Sequence, residues 1–205
     1  MDPVRLPRWL GGFAERHGAY EVAAVPGGLR LSAADGTVAE CGTPPGAPGA
    51  TDLDGFTAGA GDGRRIGLLL ARRGGVAVGI AAGDALEVSK VDSRYVQGRT
   101  AAGGWSQQRF ARRRDNQARA AAAGGADIAA RVLLPAVDRL SALVTGGDRR
   151  TVEAILADAR LAPLAPLRVD RFLAVAEPRL ATLEGAVRQA RAVRIRLVEP
   201  ATASA

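Results

Sequence analysis

The stretch Ile66-Gly-Leu-Leu-Leu-Ala71, Arg72-Arg73-Gly74-Gly75, Val76-Ala-Val-Gly-Ile-Ala-Ala82, Gly83-Asp84, Ala85-Leu-Glu-Val-Ser-Lys-Val91 decides the fold class. Three runs rich in aliphatic residues are separated by short turns of glycine with arginine or aspartate, a spacing that predicts three consecutive strands in a meander. The first two runs are apolar almost throughout. A strand wet on one side alternates polar and apolar residues, so these two are expected to be covered on both faces.

Beyond Val91 the apolar period lengthens. Residues Gln107–Ala123 read as a helix, and Ala126–Leu140 places Ala129, Val132, Leu133, Ala136, Val137 and Leu140 on one stripe, with Pro135 expected to bend or divide it. Ser141–Thr145 reads as a strand, Arg149–Ala159 as a helix entered through Gly146-Gly147-Asp148, and Phe172–Ala176 as a buried strand. A last helix, Leu180–Ala192, leads to a terminal strand, Val193–Val198. Upstream, Trp9, Leu10, Phe13 and Ala14 share a face of a helix over Pro7–His17, ended by Gly18. Tyr20–Val25 and Leu29–Ser32, joined by Pro26-Gly27-Gly28, read as a hairpin. Residues 42–63 are crowded with Gly, Pro, Thr and Asp and predict an irregular connection. The expectation is an α+β chain: a mixed β-sheet with helices packed against it, preceded by a small N-terminal helix and hairpin, in one domain over 1–205 with a flexible tail at 200–205.

The 205 residues are long enough for a well-buried core, and only 4% are aromatic, so that core is filled by Ala, Val and Leu. Cys41 is the only cysteine and His17 the only histidine, which excludes an internal disulfide, a zinc site of His and Cys ligands within one chain, and any mechanism using two histidines. No charged start followed by a long apolar run opens the chain, and later apolar runs fall short of a bilayer span; the expectation is a cytoplasmic protein without a membrane partner, acting as a monomer.

The net charge is +7, carried almost wholly by arginine, since Lys90 is the only lysine. Seven arginines, Arg94, Arg99, Arg109, Arg112, Arg113, Arg114 and Arg119, stand against one acid, Asp115, between residues 94 and 119, so this segment holds nearly all of the excess. Forked guanidinium donors at that density fit a nucleic-acid backbone; the bland alternative is a solvated helix face. Within the segment lies Thr100-Ala-Ala-Gly103-Gly104-Trp105-Ser106-Gln107-Gln108-Arg109-Phe110. Paired glycines and small neighbours favour a projecting loop, and a Trp105 ring carried on it would seek a stacking partner unless it folds back on the protein.

The glycine pair followed by glutamine, and Arg109-Phe110-Ala111-Arg112 opening a basic helix, resemble the catalytic domain of eukaryotic and archaeal class-one release factors. The preceding Arg94-Tyr95-Val96 and the following Asp115-Asn116 are more similar to the Vms-like release factors, a family of peptidyl-tRNA hydrolases with an actinobacterial branch. The resemblance is clearest over Val88–Ala120 and extends by order of elements to about Glu199. It implies a ribonuclease-H-like sheet, a loop that enters the peptidyl transferase centre, and partners comprising the large ribosomal subunit, its ribosomal RNA and peptidyl-tRNA. Laid on the release-factor glycine pair, the glutamine position falls on Trp105; in the Ser-Gln form of the Vms-like family it falls on Gln107, with Gln108 as the alternative. Gln97 and Gln117 read as ordinary surface amides.

A glutamine amide does not titrate, so its contribution is positional: it orients one water for attack on the ester while N–H groups of Gly103 and Gly104 face the developing oxyanion. The reaction so drawn needs no cofactor and no metal. Trp105, Ser106 and Gln108 would shape the loop, and the arginines would hold it in register through phosphate contacts. The absence of a codon-reading domain points to rescue of stalled complexes. Two other readings are weighed: a metal-dependent nuclease built on Asp52, Asp54 and Asp62, which read equally as turn formers, and a non-catalytic ribosome- or RNA-binding protein. Ser106 lies outside a Gly-x-Ser-x-Gly pattern and fits a helix cap better than a nucleophile.

Overall fold

The computed structural model describes residues 1–72, 74–93 and 107–200, with residues 93 and 107–115 described by their backbone alone. Helices α1 (Leu6–His17), α2 (Leu53–Gly61), α3 (Gln107–Leu133), α4 (Arg149–Leu156) and α5 (Leu180–Arg191) are joined by strands β1 (Tyr20–Val25), β2 (Gly28–Ala33), β3 (Val38–Gly42), β4 (Arg65–Arg72), β5 (Gly75–Ala82), β6 (Ala85–Ser93), β7 (Leu140–Gly147), β8 (Arg168–Leu173) and β9 (Arg194–Val198). Where the sequence suggests one domain, the chain divides into two compact units. The first is made of residues 1–64 and 188–205, the second of residues 65–187.

The second unit is built on the five-stranded sheet β6-β5-β4-β7-β8. β4, β5 and β6 are the expected antiparallel meander, while β7 and β8 add in parallel beyond β4, the mixed ribonuclease-H-like order. Both faces are covered, as the unbroken apolar runs demand. Leu69, Ala71, Val76, Val78 and Ile80 meet Ala126, Ala129, Leu133, Val152 and Ile155 from α3 and α4. On the reverse face Gly79 is so close to α5 that a Cβ there would lie 2.9 Å from Leu183 Cδ2.

Helix α3 runs through Gly124-Gly125, where the sequence reading places a break. Gly125 is needed for contact: an added Cβ would stand 2.7 Å from Ile155 Cδ1 and 3.2 Å from Val76 Cγ2. Pro135 does end the helix, and Leu134–Arg139 continues as a 3-10 turn, since proline has no N–H for the α-helical ladder. Asn116–Arg139 is long and apolar enough to cross a bilayer by composition, contrary to the expectation that no such stretch exists. Its apolarity comes from alanines and from the stripe that α3 packs on the sheet, and the stretch carries Arg119, Asp127 and Arg131.

The first unit pairs β1-β2-β3-β9 in antiparallel order. Its core joins Leu6, Leu10 and Phe13 of α1 to Leu29, Leu31, Ala39, Cys41 and Phe56, with Trp9 stacked on Phe13 at 5.4 Å. Two expectations are corrected here. The terminal strand joins this sheet, not the larger one, because β3 offers it a free edge between Val38 and Gly42. The connection at 42–63 contains α2, whose start is fixed by the Asp52 carboxylate accepting from Gly55 N–H at 2.7 Å, an N-cap that offsets the weak helix propensity of glycine.

Burial pushes the Cys41 thiol up to about 11, so it stays neutral. His17 pairs with Asp35 at 2.8 Å and lies beside Phe13, a structural role. Asp52 caps α2 and Asp62 pairs with the buried Arg64, which uses two of the three carboxylates weighed for a metal. Among the described residues no group of three His, Cys, Asp or Glu side chains is placed to hold a metal ion.

Candidate functional site

The basic segment begins where β6, the edge strand of the five-stranded sheet, ends at Ser93, and it continues into α3. Arg94, Arg99, Gly103, Gly104, Trp105 and Ser106 lie outside the described residues. Gln107 is the first residue of α3, and Gln108, Arg109, Arg112, Arg113 and Arg114 follow within its first turns. Arg119 is exposed and donates to Asn116 Oδ1 at 2.9 Å. An amide is a neutral partner, so the Arg119 charge is not cancelled by it.

The anchoring of α3 is as telling as its charge. Residues 116–121 are exposed, whereas Ala126, Ile128, Ala129, Val132 and Leu133 are buried against the sheet. The 27-residue helix is therefore held by its C-terminal half. At about 1.5 Å per residue, Gln107 stands about 27 Å along the axis from Gly125. A brace fixes the base: Arg160 reaches Asp127 of α3 at 2.8 Å and Asp158 at 2.7 Å. The Arg160 side chain, with its own backbone N–H second, holds the Asp158 carboxyl down to about 2.

A groove runs beside the exposed part of α3. Ala118, Ala122, Ala123 and Ala126 face Ala154 and Ala157 of the α4 segment, with Arg119 on one bank and Arg150 on the other. Sequence reasoning passed over Arg150, which is exposed and follows the Asp148 cap of α4; its signal was the Arg149-Arg150 pair after Gly146-Gly147-Asp148. Asp148 itself accepts from Thr151 N–H at 2.8 Å. Near it, at the carboxyl ends of β4 and β7, Arg72 donates to the Ala176 carbonyl at 2.8 Å and Glu177 pairs with Arg179 at 2.6 Å. These two carboxylates are engaged with the protein, so this end of the sheet has the chemistry of a capped helix and surface ion pairs.

Comparison with solved structures finds an archaeal protein, 17% identical over 76% of this chain and 48% of its own, with a TM-score of 0.42. It also finds the archaeal translation termination factor aRF1, 18% identical over 78% of this chain and 48% of its own, with a TM-score of 0.46. The chain spans about half the length of both. No curated protein matches. The model of the Actinobacteria/chloroflexi VLRF1 release factors matches residues 64–196, which covers the whole five-stranded sheet together with α3, and by that match the chain belongs to this release factor family.

Proposed function

We propose that the chain is a cytoplasmic, ribosome-associated peptidyl-tRNA hydrolase that frees nascent chains from stalled complexes without reading a codon. Family membership supports a release-factor role and an interaction with the ribosome. The observation that carries the catalytic reading is the arrangement of α3: a helix clamped at one half, basic along the other, and begun by Gln107. Such a helix can carry a small reactive tip into a narrow opening while its base stays seated on the sheet.

In the reaction, a water oxygen bonds to the ester carbonyl carbon, and the bond to the tRNA ribose oxygen then breaks. The leaving oxygen takes a proton, and the peptide departs as its carboxylate. The Gln107 carboxamide holds the attacking water by accepting one hydrogen bond and donating another, a role that turns a bimolecular attack into a local one and is worth several kcal/mol when the geometry is good. Gly103 and Gly104 supply backbone donors for the oxyanion, with Trp105, Ser106 and Gln108 shaping the tip. Arg94, Arg99, Arg109, Arg112, Arg113, Arg114 and Arg119 grip phosphates of ribosomal RNA and tRNA.

The test is single-turnover release from purified large subunits and from intact ribosomes carrying labelled peptidyl-tRNA. Gln107→Ala is expected to lower the release rate at least a hundredfold while pelleting with ribosomes as the parent does. Full release by Gln107→Ala, with loss in Gln108→Ala, would move the role to Gln108. Full release by both would leave the protein as a non-catalytic binder.

A further inference from the structure

The open face of the four-stranded sheet in the first unit is not used by the release reading. Its inner face is the core, formed by Leu29, Leu31, Ala39, Cys41 and Ile195. By alternation, the register then fixes what faces solvent. One row across the sheet is Ala23, Arg30, Glu40 and Arg196, and the next is Val25, Gly28, Gly42 and Arg194. The first row is a line of charge, and the second is nearly bare.

The two glycines are bare for different reasons. At Gly28 a Cβ would lie 2.0 Å from the Cys41 carbonyl oxygen, so the backbone approach itself requires glycine. At Gly42 the nearest atoms to a Cβ are Arg194 O at 3.6 Å and Arg194 Cβ at 3.7 Å, ordinary contact distances, and its φ is not positive. Packing does not demand glycine at Gly42, and its presence deepens the trough. The result is a depression of about 390 Å³ floored by peptide planes.

Three guanidinium groups surround that floor. Arg30 donates to Glu40 at 3.1 Å, and Arg196 lies 4.0 Å from the same carboxylate. Arg194 makes no ion pair among the described residues. The three positive groups lie around one acid, Glu40, and the next row of the same face adds Glu21 on β1, so the face keeps a net positive charge of one, concentrated at the glycine floor.

We propose that this face is a docking surface for a single-stranded segment of RNA. The arginines would contact successive phosphates, and a base would lie flat on the glycine floor against a guanidinium plane. Flatness and charge together select the occupant. A bare floor admits a planar ring that side chains would lift away, while an acidic peptide would gain its backbone pairing at a sheet edge and not on the face. The inference does not depend on catalysis at Gln107; it takes from the proposed function only that the protein works among RNA.

The experiment measures anisotropy of a fluorescein-labelled 12-nucleotide poly(U) RNA with the full chain between 50 and 200 mM KCl. The parent is compared with the Arg30→Ala/Arg194→Ala/Arg196→Ala variant. Losing three contacts to a single strand should lower the slope of log K against log salt by about 2. Across that fourfold salt range the parent then loses about 18-fold more affinity than the variant, whatever the arginines of α3 add to both. Glu40→Gln, which removes the acid that lies among the three guanidinium groups, should tighten binding several-fold at 50 mM. An unchanged slope in the triple variant, or weaker binding by Glu40→Gln, overturns the proposal. So does polyglutamate displacing the RNA as well as unlabelled poly(U) does, which would assign the face to an acidic protein. Should the triple variant melt early, the slopes of Arg194→Ala and Glu40→Gln, both on exposed groups, decide alone. Gln107→Ala should bind the oligonucleotide as the parent does, so failure here and failure of the release reading are separable.

Discussion

Replacing Gly125 with alanine tests how α3 is held. In an unpacked helix the substitution should stabilise by about 1 kcal/mol, because glycine has the lower helix propensity. Here the new methyl would fall 2.7 Å from Ile155 Cδ1 and 2.9 Å from Ile155 Cγ1. Ile155 is fully buried in the core between the sheet and α3. Overpacking of this kind costs about 1–3 kcal/mol. The two effects leave Gly125→Ala destabilised by about 1 kcal/mol net, which separates the packed from the open case by about 2 kcal/mol. Ile155→Val removes the closest of the two contacts at a cost of about 1 kcal/mol by itself. In that background Gly125→Ala should become neutral or stabilising, a coupling of about 1 kcal/mol. Urea denaturation of the four proteins measures the cycle. Additivity within 0.3 kcal/mol, or a Gly125→Ala variant more stable than the parent, would refute the claim that this contact seats the helix.

Gly147 has φ +101° and a Cβ there would lie 2.2 Å from the Ala71 carbonyl oxygen, so Gly147→Ala should cost about 3–5 kcal/mol, read as a lost or sharply lowered melting transition. Reversing Arg112 and Arg113 to glutamate should weaken ribosome pelleting and lower its salt slope by about 2, whereas an unchanged slope would remove both from the interface. For Asp158, a folded value near 2 against an ordinary 3.8 means that its contribution to stability is complete above about pH 4 and is lost as pH falls through 2. Carboxyl-carbon NMR should find that value rising in Arg160→Ala, though not fully to 3.8, because the backbone N–H at 160 still donates.

The β4–β6 meander was legible because apolar runs bounded by glycine turns leave few other structures open to them. Pro135 announced the end of α3 for an equally local reason. The break expected at Gly124-Gly125 was misplaced because glycine propensity is local, while the need for it at Gly125 comes from Ile155, thirty positions on. The same limit explains β9: nothing in Arg194-Ile-Arg-Leu-Val198 says which of two sheets has a vacant edge. Helix α2 was hidden by three glycines among its nine residues and the Asp62 cap that follows, and only the Asp52 cap marked its beginning. Of the candidate site, the charge and the glutamine were readable from composition and motif. Arg150 was not, because its position beside Arg119 is set by how α4 packs on α3.

Met1 meets the segment that leads into β9. The Met1 ammonium donates to the Val193 carbonyl at 2.9 Å, the Val193 amide returns a bond to Met1 O at 2.8 Å, and β9 fills the edge of β3. During synthesis, then, the amino-terminal sheet waits with a bare edge until Arg194–Val198 leaves the exit tunnel, while residues 65–187 already have every strand of their sheet. Assembly therefore runs from the second unit to the first, and loss of β9 would leave the five-stranded sheet complete and the amino-terminal sheet without its last strand.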